Sequence, residues 1–204
     1  MTHTLLDCFQ GMAGTTEGFY GEGFECVGIE IEPKIARYGK RFGDVIVADM
    51  RTLNGENFKG FDVIWGSPPC RDFTSLTFLG HRWKNPPNVE KGLELVSCFL
   101  KFVEDAKPKF WILENSPNLR KYLQVKPTQI SRIGKNMIRG FWGSYPSFLM
   151  PSSLKEIWFY DVKKNPKRIE KYYGKLRSWE RAKIPLPCSQ AFAKACKEAL
   201  EKSN

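Results

Sequence analysis

The chain has 204 residues, a length that fits one domain with a real core, and its 42% of apolar residues is the content of a globular protein, not a disordered one. No apolar run approaches the ~20 residues that a membrane span needs, so no membrane partner is expected. Of the formal charge of +10, eight units fall between Lys163 and Asn204, where 12 Lys or Arg stand against 4 Asp or Glu; such a stretch attracts polyanions, and nucleic acid is the natural partner.

Residues 5–9 form a short apolar strand that runs into a glycine-rich turn and a helix over 15–20. A second strand spans 26–30, followed by a helix over 33–42 that Pro33 can start. Strands three and four cover 45–48 and 63–65. Residues 89–106 place Val89, Leu93, Val96, Phe99, Leu100 and Val103 at helical spacing, and a fifth strand, 110–114, follows the Lys107-Pro108-Lys109 break. This alternation predicts an α/β fold with a doubly wound, mostly parallel sheet that binds ligands at the carboxyl ends of its strands. The polar and aromatic residues 71–88 form either a mobile lid or a plain surface connection. Beyond residue 115 the pattern loosens: 138–142 and 156–162 read as strands and 190–200 as a terminal helix. Within 163–181, Tyr172, Tyr173 and Trp179 stand among bases, as on nucleic-acid surfaces or on an exposed basic helix.

The six cysteines, at 8, 26, 70, 98, 188 and 196, include no Cys-x-x-Cys pair, and His3 and His81 are far apart, so no metal site is expected. The N-terminus enters strand pattern at Leu5-Leu6 without the shape of a signal peptide. The expected protein is cytoplasmic, with reduced thiols.

Chemistry concentrates at three strand ends. Gly11 and Gly14, after the first strand, can turn tightly and admit a ligand close to the backbone. Glu30 ends strand two, where a ribose diol would lie, and Asp49 ends strand three, where it could accept from an adenine amino group. No Gly-Lys-Ser/Thr is present, so an adenosyl cofactor suits this set better than a pyrophosphate. Cys70 follows Ser67-Pro68-Pro69 at the end of strand four, where a thiol can be partly exposed and activated. Glu114 ends strand five behind the apolar run Trp111-Ile112-Leu113, which would desolvate it and raise its pKa.

These segments resemble the DNA cytosine-5 methyltransferases, in the compact form found in phages and prokaryotes. The run Asp7-Cys8-Phe9-Gln10-Gly11-Met12-Ala13-Gly14 is similar to the family's Asp-x-Phe-x-Gly-x-Gly-Gly loop, with Ala13 in place of a glycine. Pro69-Cys70 resembles its nucleophile motif, and Glu114-Asn115-Ser116 its Glu-Asn-Val, with serine for valine. The resemblance implies a Rossmann-like S-adenosylmethionine-dependent methyltransferase fold. It further implies that Asp7, Phe9, Gly11, Gly14, Glu30, Ile31, Asp49 and Pro68 hold the cofactor, with Phe9 on the adenine, Glu30 on the ribose and Asp49 on the adenine amino group. Cys70 would attack cytosine C6 and Glu114 would engage N3. The family's Gln-x-Arg-x-Arg strand has no clean copy here. Gln129-Ile130-Ser131-Arg132 and Ile138-Arg139-Gly140 come nearest, and Arg139, in the better strand, is the expected cation at cytosine O2. Arg71 stands where glutamine is common, and the C-terminal Gly-Asn motif is missing.

The resemblance covers residues 4–118, read as the cofactor-binding and catalytic core, with 119–204 finishing the sheet and adding a reduced basic recognition segment and a closing helix in one compact domain. Family members ordinarily carry a larger target-recognition domain, so short or relaxed specificity, held by phosphate contacts to a flipped-out cytosine, is the expectation. The expected protein is a monomer that acts on DNA, as in a restriction-modification system, regulation or viral self-protection. RNA as substrate, and a non-catalytic nucleic-acid-binding protein on the same fold, stay open as alternatives.

Overall fold

The computed structural model describes residues 2–74, 87–134, 137–156 and 183–203. Its centre is a seven-stranded sheet of order β3-β2-β1-β4-β5-β7-β6. The strands are β1 (Thr4–Cys8), β2 (Glu25–Glu30), β3 (Asp44–Val47), β4 (Val63–Gly66), β5 (Phe110–Asn115), β6 (Gln129–Gly134) and β7 (Met137–Ser144). The first five run parallel, and β7 lies antiparallel to both β5 and β6. The chain order reverses between β1 and β4, which makes their carboxyl ends the switch point where such sheets open a crevice.

The sheet is covered on both faces, which is why β1 and β4 read as unbroken apolar runs. Leu5, Val63, Trp65, Ile112 and Phe141 face one side, with Phe19 of helix α1 (Gly14–Gly21) and Phe192 of the C-terminal helix. There the Trp65 and Phe192 rings meet edge to face at 4.9 Å. Leu6, Ile64 and Leu113 face the other side, against Val96, Phe99 and Phe102 of the long helix Val89–Ala106. Phe99 lies so close to β4 that a Cβ on Gly66 would stand 2.3 Å from its ring. Among the described residues no helix is long and apolar enough to cross a membrane.

The long helix has the expected bounds, and the Asn88 side chain caps it by accepting from Lys91 N at 3.0 Å. The helix expected over 33–42 is shorter. It forms α2 (Pro33–Ala36) and then tightens into a 3₁₀ turn, Gly39–Arg41. The buried Gln10 amide explains the break: a Cβ on Gly39 would lie 2.1 Å from Gln10 Oε1, so the chain passes it only as glycine. Strand β6 was not foreseen. Its two isoleucines lie on opposite faces, Ile130 exposed and Ile133 buried, so the stretch shows no apolar alternation, and a register shift falls between Arg132 and Gly134. The helices after the long one, which is α3, are α4 (Arg120–Leu123) and α5 (Leu186–Lys202), the latter starting four residues earlier than expected. Ser152–Glu156 is a 3₁₀ turn; the rest of the strand expected over 156–162, the lid residues 75–86 and the basic stretch 163–181 lie outside the described residues.

Candidate active site

The turn after β1 is built from strained backbone. Phe9, Gly11 and Ala13 have φ of +62°, +54° and +57°, so two of the three left-handed positions are filled by residues that pay a steric cost. Side chains beneath hold the turn. Asp7 is buried, and its Oδ2 accepts from Thr16 Oγ1 at 2.6 Å and Thr16 N at 3.2 Å, which fastens the first turn of α1. Gln10 Nε2 donates to the same Thr16 hydroxyl at 2.9 Å. Burial pushes the Asp7 carboxyl up to about 7, against the opposing pull of the Thr16 hydrogen bonds. Glu30 is buried at the end of β2 and reaches back to the turn, accepting from Gly11 N at 2.8 Å through one oxygen and from Glu32 N at 2.9 Å through the other.

A cleft opens over this turn, lined by Asp7, Phe9, Gly11 and Gly14, by Ser67 from the loop after β4, and by Lys183 and Ile184 from the C-terminal segment. Ile31 and Asp49 stand outside that lining, at the ends of β2 and β3, with Ile31 exposed. Arg51 holds both oxygens of Asp49, with Nε at 3.0 and 3.1 Å and a terminal nitrogen at 2.5 Å, and keeps the carboxyl below the usual carboxylate range. An adenosyl group fits these residues. Acceptors stand at three neighbouring strand ends, each Glu30 oxygen retains capacity for a hydroxyl, and a pyrophosphate would meet carboxylates instead. Adenine at Asp49 would share the carboxylate with Arg51, a competition that sequence could not show.

The second half of the site lies across β4, β5 and β7. The β5–β7 register sets Glu114 opposite Phe141 and Asn115 opposite Gly140, which brings Arg139 beside Glu114. Arg139 Nε is 2.6 Å from Glu114 Oε1, with both side chains largely buried. That oxygen nevertheless has no well-directed hydrogen bond, so the contact is an ion pair with poor N–H alignment. Burial raises the Glu114 carboxyl, while Arg139 and the Ser67 hydroxyl hold it back. Ser67 Oγ in turn accepts from the buried Trp65 indole at 2.7 Å.

Cys70 is half-buried and opens the 3₁₀ turn Arg71–Phe73. Its surroundings push the thiol up by desolvation; the Arg139 charge lowers it again, and Glu114 and Asp72 add to the rise. The described part of the loop around it is fastened at several points. Asn115 Nδ2 donates to the Pro68 carbonyl at 3.0 Å, and Ser116 Oγ to the Phe73 carbonyl at 3.2 Å. Asp72 accepts from Asn88 N at 2.9 Å, and Phe73 packs against Gly92 of α3. The structure thus gathers Cys70, Glu114 and Arg139 into one cluster and Asp7, Phe9, Gly11, Gly14 and Glu30 into another, with Pro68 in the loop between them. Arg132 sits on β6, paired with Ile138 and not with Arg139. Sequence reasoning passed over Ser67, Ser116 as an anchor, and Lys183. Only Ser67 left a signal, since strand alternation puts it on the face of Trp65.

A parallel sheet with one antiparallel strand inserted beside its edge, and a cleft at the switch point, is the Rossmann-like fold of the S-adenosylmethionine-dependent methyltransferases. The family model of the C-5 cytosine-specific DNA methylases matches residues 3–133, and the chain belongs to that family. Members of the family use S-adenosylmethionine as methyl donor. Among curated relatives, it is 31% identical over 129 residues to the type II methyltransferase M1.HphI of Haemophilus parahaemolyticus, covering 58% of this chain and 34% of that one. It is likewise 31% identical over 140 residues to M.NgoFVII of Neisseria gonorrhoeae, covering 64% and 36%. The chain therefore matches about a third of these relatives' length. A tRNA (uracil-54, C5)-methyltransferase of Pyrococcus abyssi, solved with S-adenosyl-L-homocysteine, superposes with a TM-score of 0.47 at 14% identity, covering 70% of this chain and 34% of that one.

Proposed function

We propose that the protein methylates C5 of cytosine in DNA through a covalent bond from Cys70 to C6. One observation carries this: Ser67 lines the cofactor cleft three residues before Cys70, and the β4–β5 register, which pairs Gly66 with Leu113, sets it beside Glu114. The bound cofactor supplies an electrophilic methyl group. The chain does the rest. Glu114, whose carboxyl burial pushes up, hydrogen-bonds cytosine N3 and draws electrons from the ring. Arg139 balances the charge at O2 and on the Cys70 thiolate. Attack of that thiolate at C6 makes C5 nucleophilic, and loss of the C5 proton after methyl transfer expels the thiolate. Asp7, Phe9, Gly11, Gly14, Glu30, Ile31, Asp49 and Pro68 seat the adenosyl group. The net charge of +10 supports a polyanionic substrate held chiefly by phosphate contacts, with short or relaxed sequence specificity, by one compact monomer acting in the cytoplasm.

The test is a duplex carrying 5-fluorocytosine, which has no C5 proton to lose. It should trap the wild-type chain as a stable adduct in the presence of S-adenosylmethionine, and Cys70→Ala should give neither adduct nor 5-methylcytosine in plain DNA. Turnover on plain DNA without trapping would refute the adduct. Methyl transfer to tRNA alone would move the substrate to RNA.

A further inference from the structure

The C-terminal segment does more than finish the fold, because it delivers a lysine to the cofactor cleft. Lys183 and Ile184 line that cleft opposite Phe9, Gly11 and Gly14. The approach is tight: a Cβ on Gly14 would lie 2.8 Å from Lys183 Cγ and 2.5 Å from the Ile184 carbonyl oxygen. Two bonds fasten the segment there. Ser189 Oγ donates to the Gly14 carbonyl at 2.8 Å, and Lys183 Nζ meets Glu17 Oε2 at 2.5 Å. Glu17 takes up one of the three ammonium donors, which leaves two. Helix α1 begins at Gly14, so its partial positive charge falls on the same spot.

Among the described residues lining the cleft, Lys183 is the only cation and Asp7 the only carboxyl. An adenosyl group is met by acceptors at Glu30 and Asp49. The other end of S-adenosylmethionine carries an α-carboxylate, which acceptors alone would repel. On the assignment proposed above, we infer that Lys183 binds this α-carboxylate, with Glu17 holding the ammonium in position. The C-terminal segment is then a working wall of the cofactor site.

Calorimetric titration of the full chain with S-adenosylhomocysteine, its decarboxylated analogue and 5′-methylthioadenosine tests this. Wild type should bind S-adenosylhomocysteine at least about tenfold more tightly than the decarboxylated analogue, as a charge-assisted hydrogen bond implies. Lys183→Met should erase that preference while leaving affinity for 5′-methylthioadenosine within about twofold, and Lys183→Arg should restore most of it. Lys183→Gln gives the same comparison should Lys183→Met not fold. Equal weakening toward all three ligands would reduce Lys183 to structural support and overturn the inference, as would an unchanged preference. A wild-type chain that binds none of the three would overturn the cofactor assignment itself, which is a distinct result.

Discussion

The two halves of the site are held in different ways. Around Cys70 and Glu114 the described backbone is pinned at three points: Asn115 holds Pro68 and Ser116 holds Phe73 through buried bonds, and Asn88 holds Asp72 at the surface. Around the far end of the cofactor seat, Ile31 is exposed, and the Asp49 carboxylate is held at the surface by Arg51, which also lies 3.5 Å from Glu94 of α3. Chemistry that moves protons and forms a covalent bond needs groups fixed before substrate arrives. Binding an adenine edge does not, because the ligand itself can complete an open surface.

Removing one group from the fixed half should therefore cost the most. Glu114→Gln should lower kcat by about 10²–10⁴-fold, the usual worth of a positioned acid, with cofactor affinity kept. The same variant probes the thiol. The Glu114 charge raises the Cys70 pKa, so its removal should lower that pKa and speed alkylation by iodoacetamide at pH 8. Unchanged alkylation with lost turnover would show that Glu114 is already neutral at that pH, and unchanged turnover would remove it from the mechanism.

Much of this was legible in the sequence, for a physical reason. The core strands are short apolar runs, and the groups of chemical interest end them, so pattern and position coincide at Glu30, Cys70 and Glu114. The long helix was read with its bounds because its amphipathic spacing is sustained and Asn88 caps it. What stayed hidden depends on contacts between distant segments. Gln10 breaks the helix after α2 by filling the space over Gly39, and no periodicity records that. In β6 the isoleucines at 130 and 133 fall on opposite faces, one exposed and one buried, so no apolar alternation announced a strand. Arg139 could be preferred over Arg132 only weakly from sequence; the β5–β7 register is what sets it against Glu114. Lys183 counted as one base among many until the fold returned it to the first glycine turn.

Asp7, buried beneath the glycine turn of the cofactor half, ties stability to pH. Its folded pKa of about 7 stands above the ordinary value of 3.8, so the folded chain binds the proton more tightly than the unfolded one. The resulting stabilisation is full below about pH 3.8 and is lost as pH rises through about 7. At pH 8 the ionised carboxylate costs at most on the order of 4 kcal/mol. Asp7→Asn keeps an oxygen for both Thr16 bonds, so denaturant unfolding should find it more stable than wild type at pH 8 and flatter between pH 4 and 7. A wild-type chain whose stability rises over that window would contradict the assignment.

The smallest effect should come from the open half. Arg51→Ala releases Asp49 from its fork at an exposed position, where such a pair is worth little to folding, so the melting temperature should hardly move. Cofactor affinity decides between two roles. If Arg51 orients Asp49 for the adenine amino group, the Kd for S-adenosylhomocysteine should rise about two- to fivefold. If Arg51 competes with adenine for the carboxylate, the Kd should fall by a similar factor. Arg51 N and Nε both donate to one Asp49 oxygen, and Nε and the terminal nitrogen to the other, so both lone pairs of each oxygen are engaged. Competition is therefore the expected result, with tighter binding by the variant, and a weaker-binding variant would show instead that Arg51 orients Asp49 for the adenine amino group.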